Sequence, residues 1–280
     1  MYSMFEGCSS LEAIEFSSSF RTSKIEDMSN LFWDCRTLSN YDISHFETSM
    51  VKNMSGMFKS CSSFGVTDLS WMDTSKVLDM SRMFQGTMLS LDDMMAIDAF
   101  DTSNVENMSY MFYGSTFNGA YTSNLDTAKV KNMESMFSAC NNLTTLDLSN
   151  FDTSKVTNMS NMFYNCSKLT TLDLSSFDTS FVTNMSWMFY GCSSLASVDM
   201  SSFNIKSGTN VANMFSSCTL LKTIISPTTV TPSVSLNTRT GVIWTESETL
   251  YNELPDGGIT ITAGAVLHHG WKSKISTSGI

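Results

Sequence analysis

The sequence has little charge, few histidines and few prolines. Charged residues make up 15% of the 280 residues, His and Pro occur three times each, and all three prolines lie after Ser226. The 16 Lys and Arg are outnumbered by 27 Asp and Glu, so the formal net charge is -11. Nucleic acids and anionic membranes are therefore excluded as expected partners, because both require clustered basic side chains.

Long apolar segments and export signals are also missing from the sequence. No run approaches the ~20 apolar residues of a membrane span, and no basic region followed by an apolar stretch begins the chain. We therefore expect neither a signal peptide nor insertion into a membrane. Met1 is already a repeat position with no polar cap before it, which favours a truncated piece of a longer chain or one capped by another segment. We expect a monomer or part of a longer chain.

The residues that catalysis and metal binding need are absent or badly placed. His45 lies at a variable position, and the pair His268 and His269 has no acidic or Cys neighbours at metal-ligand spacing. No Ser-His-Asp arrangement, phosphate-binding Gly loop or EF-hand loop occurs. We expect no enzymatic activity, no cofactor and no metal site.

One phrase dominates what is present: Met-Ser-x-Met-Phe, or a near variant, occurs nine times at steps of about 26 residues. Its copies begin at Met1, Met28, Met54, Met80, Met108, Met133, Met159, Met185 and Val211. Self-similarity at such a period is typical of a solenoid, in which each unit buries its apolar face against its neighbours. We predict a leucine-rich-repeat-like solenoid of nine units over residues 1–225, with a parallel sheet on one face.

Each unit is predicted to hold one short helix and one short strand. In the unit Val156–Ser180, apolar residues at i, i+3, i+4 and i+7 indicate one face of a helix of about two turns. These residues are Met159, Met162, Phe163 and Cys166. Leu172 and Leu174 then alternate with polar residues, which is typical of a half-buried strand. Asn158 or Ser160 is a candidate cap for the helix.

Stacking the units turns the Phe of each phrase into a predicted column of buried rings. That column is Phe5, Phe32, Phe58, Phe84, Phe112, Phe137, Phe163, Phe189 and Phe215. Residues 87–125 break the register and predict an irregular loop or bend. Residues 226–280 hold all the prolines and lack the repeat, so we predict a small β-rich C-terminal cap or module there.

Seven cysteines recur at one fixed position of the repeat, one in each regular unit. Thr87 and Ser115 fill this slot in the two irregular units. Stacked residues would be close enough for disulfides or a shared metal. The count is odd, no C-x-x-C occurs, and hydroxyl residues substitute for Cys. We therefore favour a column of buried free thiols.

Acidic and hydroxyl side chains are predicted to point outward from the strand of each unit. Stacked carboxylates repel one another, so this face is either simply solvated or binds a cation or a basic partner. The candidate binding face consists of Asp42, Asp68, Thr145, Asp147, Ser149, Thr171, Asp173, Ser175, Asp199 and Ser201. A second acidic column starts the phrase Asp-Thr-Ser, as at Asp152 and Asp178, and there we expect side chains that fix a turn by bonding backbone amides.

The phrases FDTSKVTNMSNMFYNCSKLTTLDLSSFDTS (151–180) and FDTSFVTNMSWMFYGCSSLASVDMSSF (177–203) resemble a known family. The chain is similar over residues 1 to about 225 to BspA-like leucine-rich repeat surface proteins, of the group once called a mycoplasma domain of unknown function. The resemblance implies a solenoid on the bacterial cell surface, with some members acting as adhesins for host matrix proteins or other bacteria. It carries over no catalytic residues.

The expected function is therefore recognition or adhesion of a host or bacterial protein by a cell-surface or secreted module. A structural spacer without a ligand is the alternative, because the units are more uniform than a recognition face normally is. Binding of ice or crystals by regular Thr and Ser rows is a third hypothesis, although these rows mix Asp and Ser.

Overall fold

The computed structural model describes most of residues 1–225 and five short strands after them. Within residues 1–225 the described part omits 18, 45, 64–68, 70–71, 118–121 and 123; later it holds residue 227 and the backbone of those strands. The described residues form one α-helix and ten strands of two to five residues. Most of the described backbone is therefore turn and irregular structure.

Every second backbone amide of the Met-Ser-x-Met-Phe segment donates to the corresponding segment of the next unit. In one pair of units the bonds run from Met159 to Asn184, from Asn161 to Ser186 and from Phe163 to Met188, each at 2.9 Å. The position before the phrase forms a column of parallel bridges through Asp27, Asn53, Asp79, Asn107, Asn132, Asn158, Asn184 and Asn210. Consecutive units thus lie side by side in register.

The short helix predicted for each unit is wrong. The segment instead forms successive turns, in which the amide of Met162 donates to Met159 and that of Tyr164 donates to Asn161. Asn161 and Asn165 adopt φ angles of 58° and 56°, which lie outside the right-handed helical region. Two turns of four residues place side chains at i, i+3, i+4 and i+7 on one side just as a helix does. Their backbone bonds, however, go to the next unit.

The predicted column of phenylalanine rings is confirmed. Consecutive rings from Phe5 to Phe215 lie 5.2 to 6.1 Å apart between centroids, with interplanar angles of 4° to 12°. From Phe32 onward each ring is at most 2% exposed. Burial of one such ring stabilises the fold by about 1.5–3 kcal/mol, but only when a neighbouring unit covers its faces.

Strands occur mainly at the two ends of the repeat region and beyond it. In chain order they are β1 (Ala13–Ile14), β2 (Asn40–Tyr41), β3 (Ser197–Asp199), β4 (Asn204–Ile205), β5 (Thr223–Ile225), β6 (Thr229–Val230), β7 (Val234–Leu236), β8 (Ile243–Thr245), β9 (Ile259–Ile261) and β10 (Val266–Gly270). Parallel pairs join β1 to β2, β3 to β5 and β4 to β6. β10 lies antiparallel between β5 and β8, and β7 pairs antiparallel with β9.

The predicted parallel sheet is therefore reduced to short pairs. β1, β2, β3 and β5 lie at the predicted strand position, but the equivalent residues 145–147 and 171–173 are not in strands. The amide of Thr170 donates to the carbonyl of Thr144 at 3.0 Å at the start of this segment. Among the described residues of these two units the ladder does not continue past that bond.

The irregular stretch 87–125 contains α1 (Leu91–Asp98), the one α-helix among the described residues. Ser90 caps it: its Oγ accepts from the amide of Asp93, and the Asp93 carboxylate accepts from the amide and hydroxyl of Ser90 at 2.7 and 2.6 Å. This reciprocal arrangement satisfies amides that a helix start leaves free. α1 therefore takes, in one unit, the place of the segment that joins the Met-Ser-x-Met-Phe turns to the Asp-Thr-Ser phrase in the other units.

Candidate functional site

The predicted acidic column lies where the exposed segment of each regular unit ends in a turn. Asp147 Oδ1 accepts from the backbone amide of Ser149 at 3.0 Å and from its hydroxyl at 2.7 Å. The equivalent aspartates at the next two units accept from the amides of Ser175 and Ser201 at 2.9 and 2.8 Å. Each aspartate thus fixes its own turn through one carboxylate oxygen.

These bonds explain how stacked carboxylates stay ionised. The amide and hydroxyl of Ser149 hold the pKa of Asp147 below its ordinary value, and the nearby charge of Asp173 opposes this only in part. Bonds from Ser175 lower the pKa of Asp173 in the same way. Donation to the charged form therefore outweighs repulsion between neighbouring units, and the exposed face stays anionic at neutral pH.

Three consecutive units form an open depression beside this column. Its volume is about 430 Å³, and it is lined by Thr145, Leu146, Thr171, Leu172, Asp173, Ser197 and Asp199. Leu172 is half-buried, whereas the hydroxyl and carboxylate residues around it are exposed. A wide opening of this kind does not enclose a small molecule as typical ligand pockets do.

The structure brings four of the predicted site residues together in that depression: Thr145, Thr171, Asp173 and Asp199. Asp147 belongs to the same column but lies outside the lining. The backbone amides of Ser149, Ser175 and Ser201 donate to the aspartates of their own turns. Asp42 forms the same turn with Ser44 several units away, and Asp68 lies outside the described residues.

Leu146, Leu172 and Ser197 line the depression but were absent from the predicted face. Ser197 could have been found from the sequence, because it lies one repeat after Thr171, which itself lies one repeat after Thr145. The leucines were assigned to the core by their alternation with polar residues. Leu172 departs from that pattern because the depression leaves it half-exposed to solvent.

The second acidic column fixes turns, as predicted. Asp152 Oδ1 accepts from the amide of Ser154 at 2.9 Å, and this residue's hydroxyl and amide lower the pKa of the carboxyl. Thr153 between them is 1% exposed. Its hydroxyl donates to the carbonyl of Asp178 at 2.9 Å and accepts from the amide of Asp178 at 2.8 Å. The Asp-Thr-Ser phrase is therefore a clamp between units, and a structural role accounts for it.

The cysteines are free thiols, and the predicted burial holds for most of them. Cys35, Cys61, Cys140, Cys166 and Cys192 are buried, Cys218 is half-buried, and Cys8 is exposed. The Sγ of Cys166 donates to the carbonyl of Phe137 in the preceding unit at 3.0 Å. Ser115 makes the equivalent bond to Phe84 at 2.6 Å, so any small donor suits this slot. Burial raises the pKa of Cys166 to about 12, which keeps the thiol protonated.

Neither a membrane-spanning helix nor a metal-binding group of side chains is found within the described part of the chain. No helix there is long and apolar enough to cross a membrane. No group of three or more His, Cys, Asp and Glu side chains there is arranged to hold a metal ion.

Comparison with known proteins gives a family and no closer relative. No curated protein and no solved structure matches the chain. One family model matches three times in tandem, over residues 1–93, 87–176 and 145–238. These overlapping matches span the whole repeat region, so this repeat protein belongs to the family described as Mycoplasma protein of unknown function, DUF285.

Proposed function

We propose that the chain is a recognition or adhesion module of a bacterial cell-surface or secreted protein, and that it binds a host or bacterial protein. We further propose that its units wind into a solenoid of the BspA-like, leucine-rich-repeat-like kind. The solenoid is supported by the register of the units, because each bonds to the equivalent residues of the next. The stacked rings support the same arrangement.

The open depression is the observation that carries the proposed function. It spans three units, so a partner seated there contacts several repeats at once. Asp173 and Asp199 in its lining offer negative charge, while Leu172 offers an apolar contact. The complementary partner is a protein surface that presents Lys or Arg beside an apolar side chain. Such charge pairing accelerates encounter, and a central apolar anchor supplies affinity.

The double variant Asp173→Asn, Asp199→Asn tests this function. Asn keeps a side-chain oxygen for the turn amides of Ser175 and Ser201 and removes the two charges. The full chain would be passed over immobilised host matrix proteins, and binding measured by surface plasmon resonance. We expect the best-bound protein to lose affinity by roughly tenfold or more, with the melting temperature nearly unchanged.

Asp147→Asn is the matched control, because Asp147 forms the same turn outside the depression. It should leave binding close to that of the unchanged chain. Equal affinity of the double variant and the unchanged chain would rule out this face as the binding surface. Binding by the unchanged chain should also slow as the salt concentration rises, because screening weakens steering by exposed charge.

A structural spacer is the second candidate function, and the uniformity of the units favours it. The turn clamps and ring stack repeat with little change from unit to unit, as in Thr127, Thr153 and Thr179. Under this alternative none of the immobilised proteins is captured by the chain, whereas a domain joined to it in a longer protein captures one.

A further inference from the structure

Three aromatic side chains cluster on the surface of the Met-Ser-x-Met-Phe segments, away from the acidic depression. The rings of Tyr164 and Tyr190 are stacked at 4.9 Å with an interplanar angle of 10°. Trp187 packs against Tyr190 at 4.9 Å and lies 6.3 Å from Tyr164. Trp187 is 36% exposed, and both tyrosines are partly exposed. The stacked rings of the core do not explain this cluster, because it lies outside them.

Trp187 occupies a backbone position that disfavours a bulky side chain. Its φ is 61°, in the left-handed region, where Gly and Asn are best tolerated. The same slot holds Gly56, Asn161 and Asn213 in other units. The turn therefore does not need a tryptophan there. Every unit has a positive φ at this slot, so the repeat imposes this backbone conformation and leaves the side chain to vary.

Tyr110 provides a comparison within the chain, because it fills the same slot with a φ of 59°. Its hydroxyl donates to Glu134 Oε1 at 2.7 Å, and the Arg82 guanidinium lies 4.8 Å from its ring centroid. Contacts inside the molecule account for Tyr110. Among the described residues, by contrast, nothing accepts from the indole N–H of Trp187 or pairs with the hydroxyls of Tyr164 and Tyr190.

The equivalent slots of the units next to the cluster hold polar, uncharged residues, in a chain of net charge -11. Asn161 and Asn213 flank Trp187 at the equivalent slots of the neighbouring units, and Ser216 follows Tyr190 one unit later. A Cβ added to Gly191 would overlap the Asn165 side-chain oxygen, so this glycine leaves room for an amide beside Tyr190. Amides and hydroxyls around an aromatic face recognise hydroxyl groups rather than charge.

We propose that Tyr164, Trp187 and Tyr190 form a binding site for a neutral saccharide. The apolar face of a pyranose ring stacks on the exposed Trp187 indole. The indole N–H, the two phenolic hydroxyls and the amides of Asn161, Asn165 and Asn213 bond its hydroxyl groups. Aromatic contact with a few convergent polar groups is the usual composition of a ligand site. This site is separate from the acidic depression and does not depend on the function proposed for it.

The test uses the full chain and three neutral probes: maltohexaose, cellohexaose and N-acetylchitohexaose. Binding would be followed by isothermal titration calorimetry and by saturation-transfer NMR. We expect at least one probe to bind, and Trp187→Asn to weaken that binding by roughly tenfold or more. Asn already occupies this slot at Asn161 and Asn213, so the variant should fold with an equal or higher melting temperature.

Two controls separate this site from its alternatives. Tyr110→Asn changes the same slot elsewhere in the chain and should leave saccharide binding unchanged. Asp173→Asn with Asp199→Asn should also leave it unchanged, so failure of either site can be recognised independently. The proposal is overturned if no probe binds up to about 10 mM, or if Trp187→Asn binds as well as the unchanged chain. Loss of a captured protein in Trp187→Asn, without saccharide binding, would assign these rings to a protein contact instead.

Discussion

The units beginning at Met80 and Met108 differ from those beginning at Met133, Met159 and Met185 most of all in the segment that follows the Met-Ser-x-Met-Phe turns. In the later units a Cys ends the turn segment and a polar stretch leads to the acidic turn. In the two earlier units Thr87 and Ser115 replace the Cys, and α1 follows in the first of them. The ring stack nevertheless continues through both, at 6.1 and 5.7 Å around Phe112.

This difference separates what the repeat requires from what it tolerates. The turn segment and the Asp-Thr-Ser clamp bond across units, so each must stay in register. The segment between them can be replaced by an element that satisfies its own backbone bonds, as α1 does with its cap at Ser90. The end of α1 is then tied to the following unit, because the carboxylate of Asp98 accepts from the amide and side chain of Asn124 at 2.9 and 2.6 Å.

Removal of a stacked ring is expected to have the largest effect. It tests whether the ring stack is equally important in the regular and the irregular units. We expect Phe163→Ala and Phe112→Ala each to lower the free energy of unfolding by about 3–5 kcal/mol, because each leaves a cavity between two buried rings. Urea denaturation followed by circular dichroism measures both losses. A loss at Phe112 much smaller than that at Phe163 would mean that the irregular units interrupt the stack.

Phe181→Ala is the control for the ring variants. This side chain is 66% exposed, and the Lys206 ammonium group lies 5.5 Å from its ring centroid. Its removal should change the free energy of unfolding by no more than about 0.5 kcal/mol.

The sequence was sufficient to predict the parts of the fold that repeat. The nine-fold Phe column and the Asp-Thr-Ser turn were predicted correctly, since both depend on side chains that recur at a fixed period. The short helix was wrong because its spacing is shared with two successive turns. The distinguishing signal was present: Gly56 and Gly86, like Asn161 and Asn165, occupy slots that require positive φ. Gly and Asn at such slots favour turns over a helix interior.

The candidate site was predicted in part. Thr145 and Asp173 were placed on an exposed face by alternation, and they line the depression. The turn made by Asp173 and Ser175 was not predicted there, although the same Asp-x-Ser spacing was interpreted as a turn in the other acidic column. The aromatic cluster was not predicted at all. Tyr164 and Trp187 occupy slots whose residue type changes from unit to unit, and an analysis based on constant positions gives no weight to such residues.

The second prediction uses pH to distinguish the two regions. Burial raises the pKa of the Cys166 thiol from 9.0 to about 12 in the folded chain. The protonated thiol therefore adds stability below pH 9, and that contribution is lost as the pH rises from 9 toward 12. At pH 10 the loss is about 1 kcal/mol for one such thiol. Thr87 and Ser115, at the same slot, do not titrate in this range.

Exchanging the residues at this slot checks that assignment. Cys166→Ser should make stability fall less between pH 8 and pH 10, because Ser keeps a donor for the Phe137 carbonyl, as Ser115 does for Phe84. Ser115→Cys should make it fall more. Urea titrations at both pH values measure the two differences. An equal change in the free energy of unfolding between pH 8 and pH 10 for the unchanged chain and both variants would contradict the role given to the buried thiols.

The smallest expected effect is confined to α1. Ser90→Ala removes the side-chain oxygen that accepts from the Asp93 amide and the hydroxyl that donates to its carboxylate, at a cost of about 1 kcal/mol. Hydrogen exchange should show weaker amide protection in α1 and unchanged protection in the turn segment from Met159 to Cys166, since the two are held by different bonds. Met95→Ala is the control, because Met95 is 52% exposed and makes no cap bond. Equal loss of protection in both segments would mean that α1 is not the replaceable element inferred from the comparison of units, but part of the same cooperative structure.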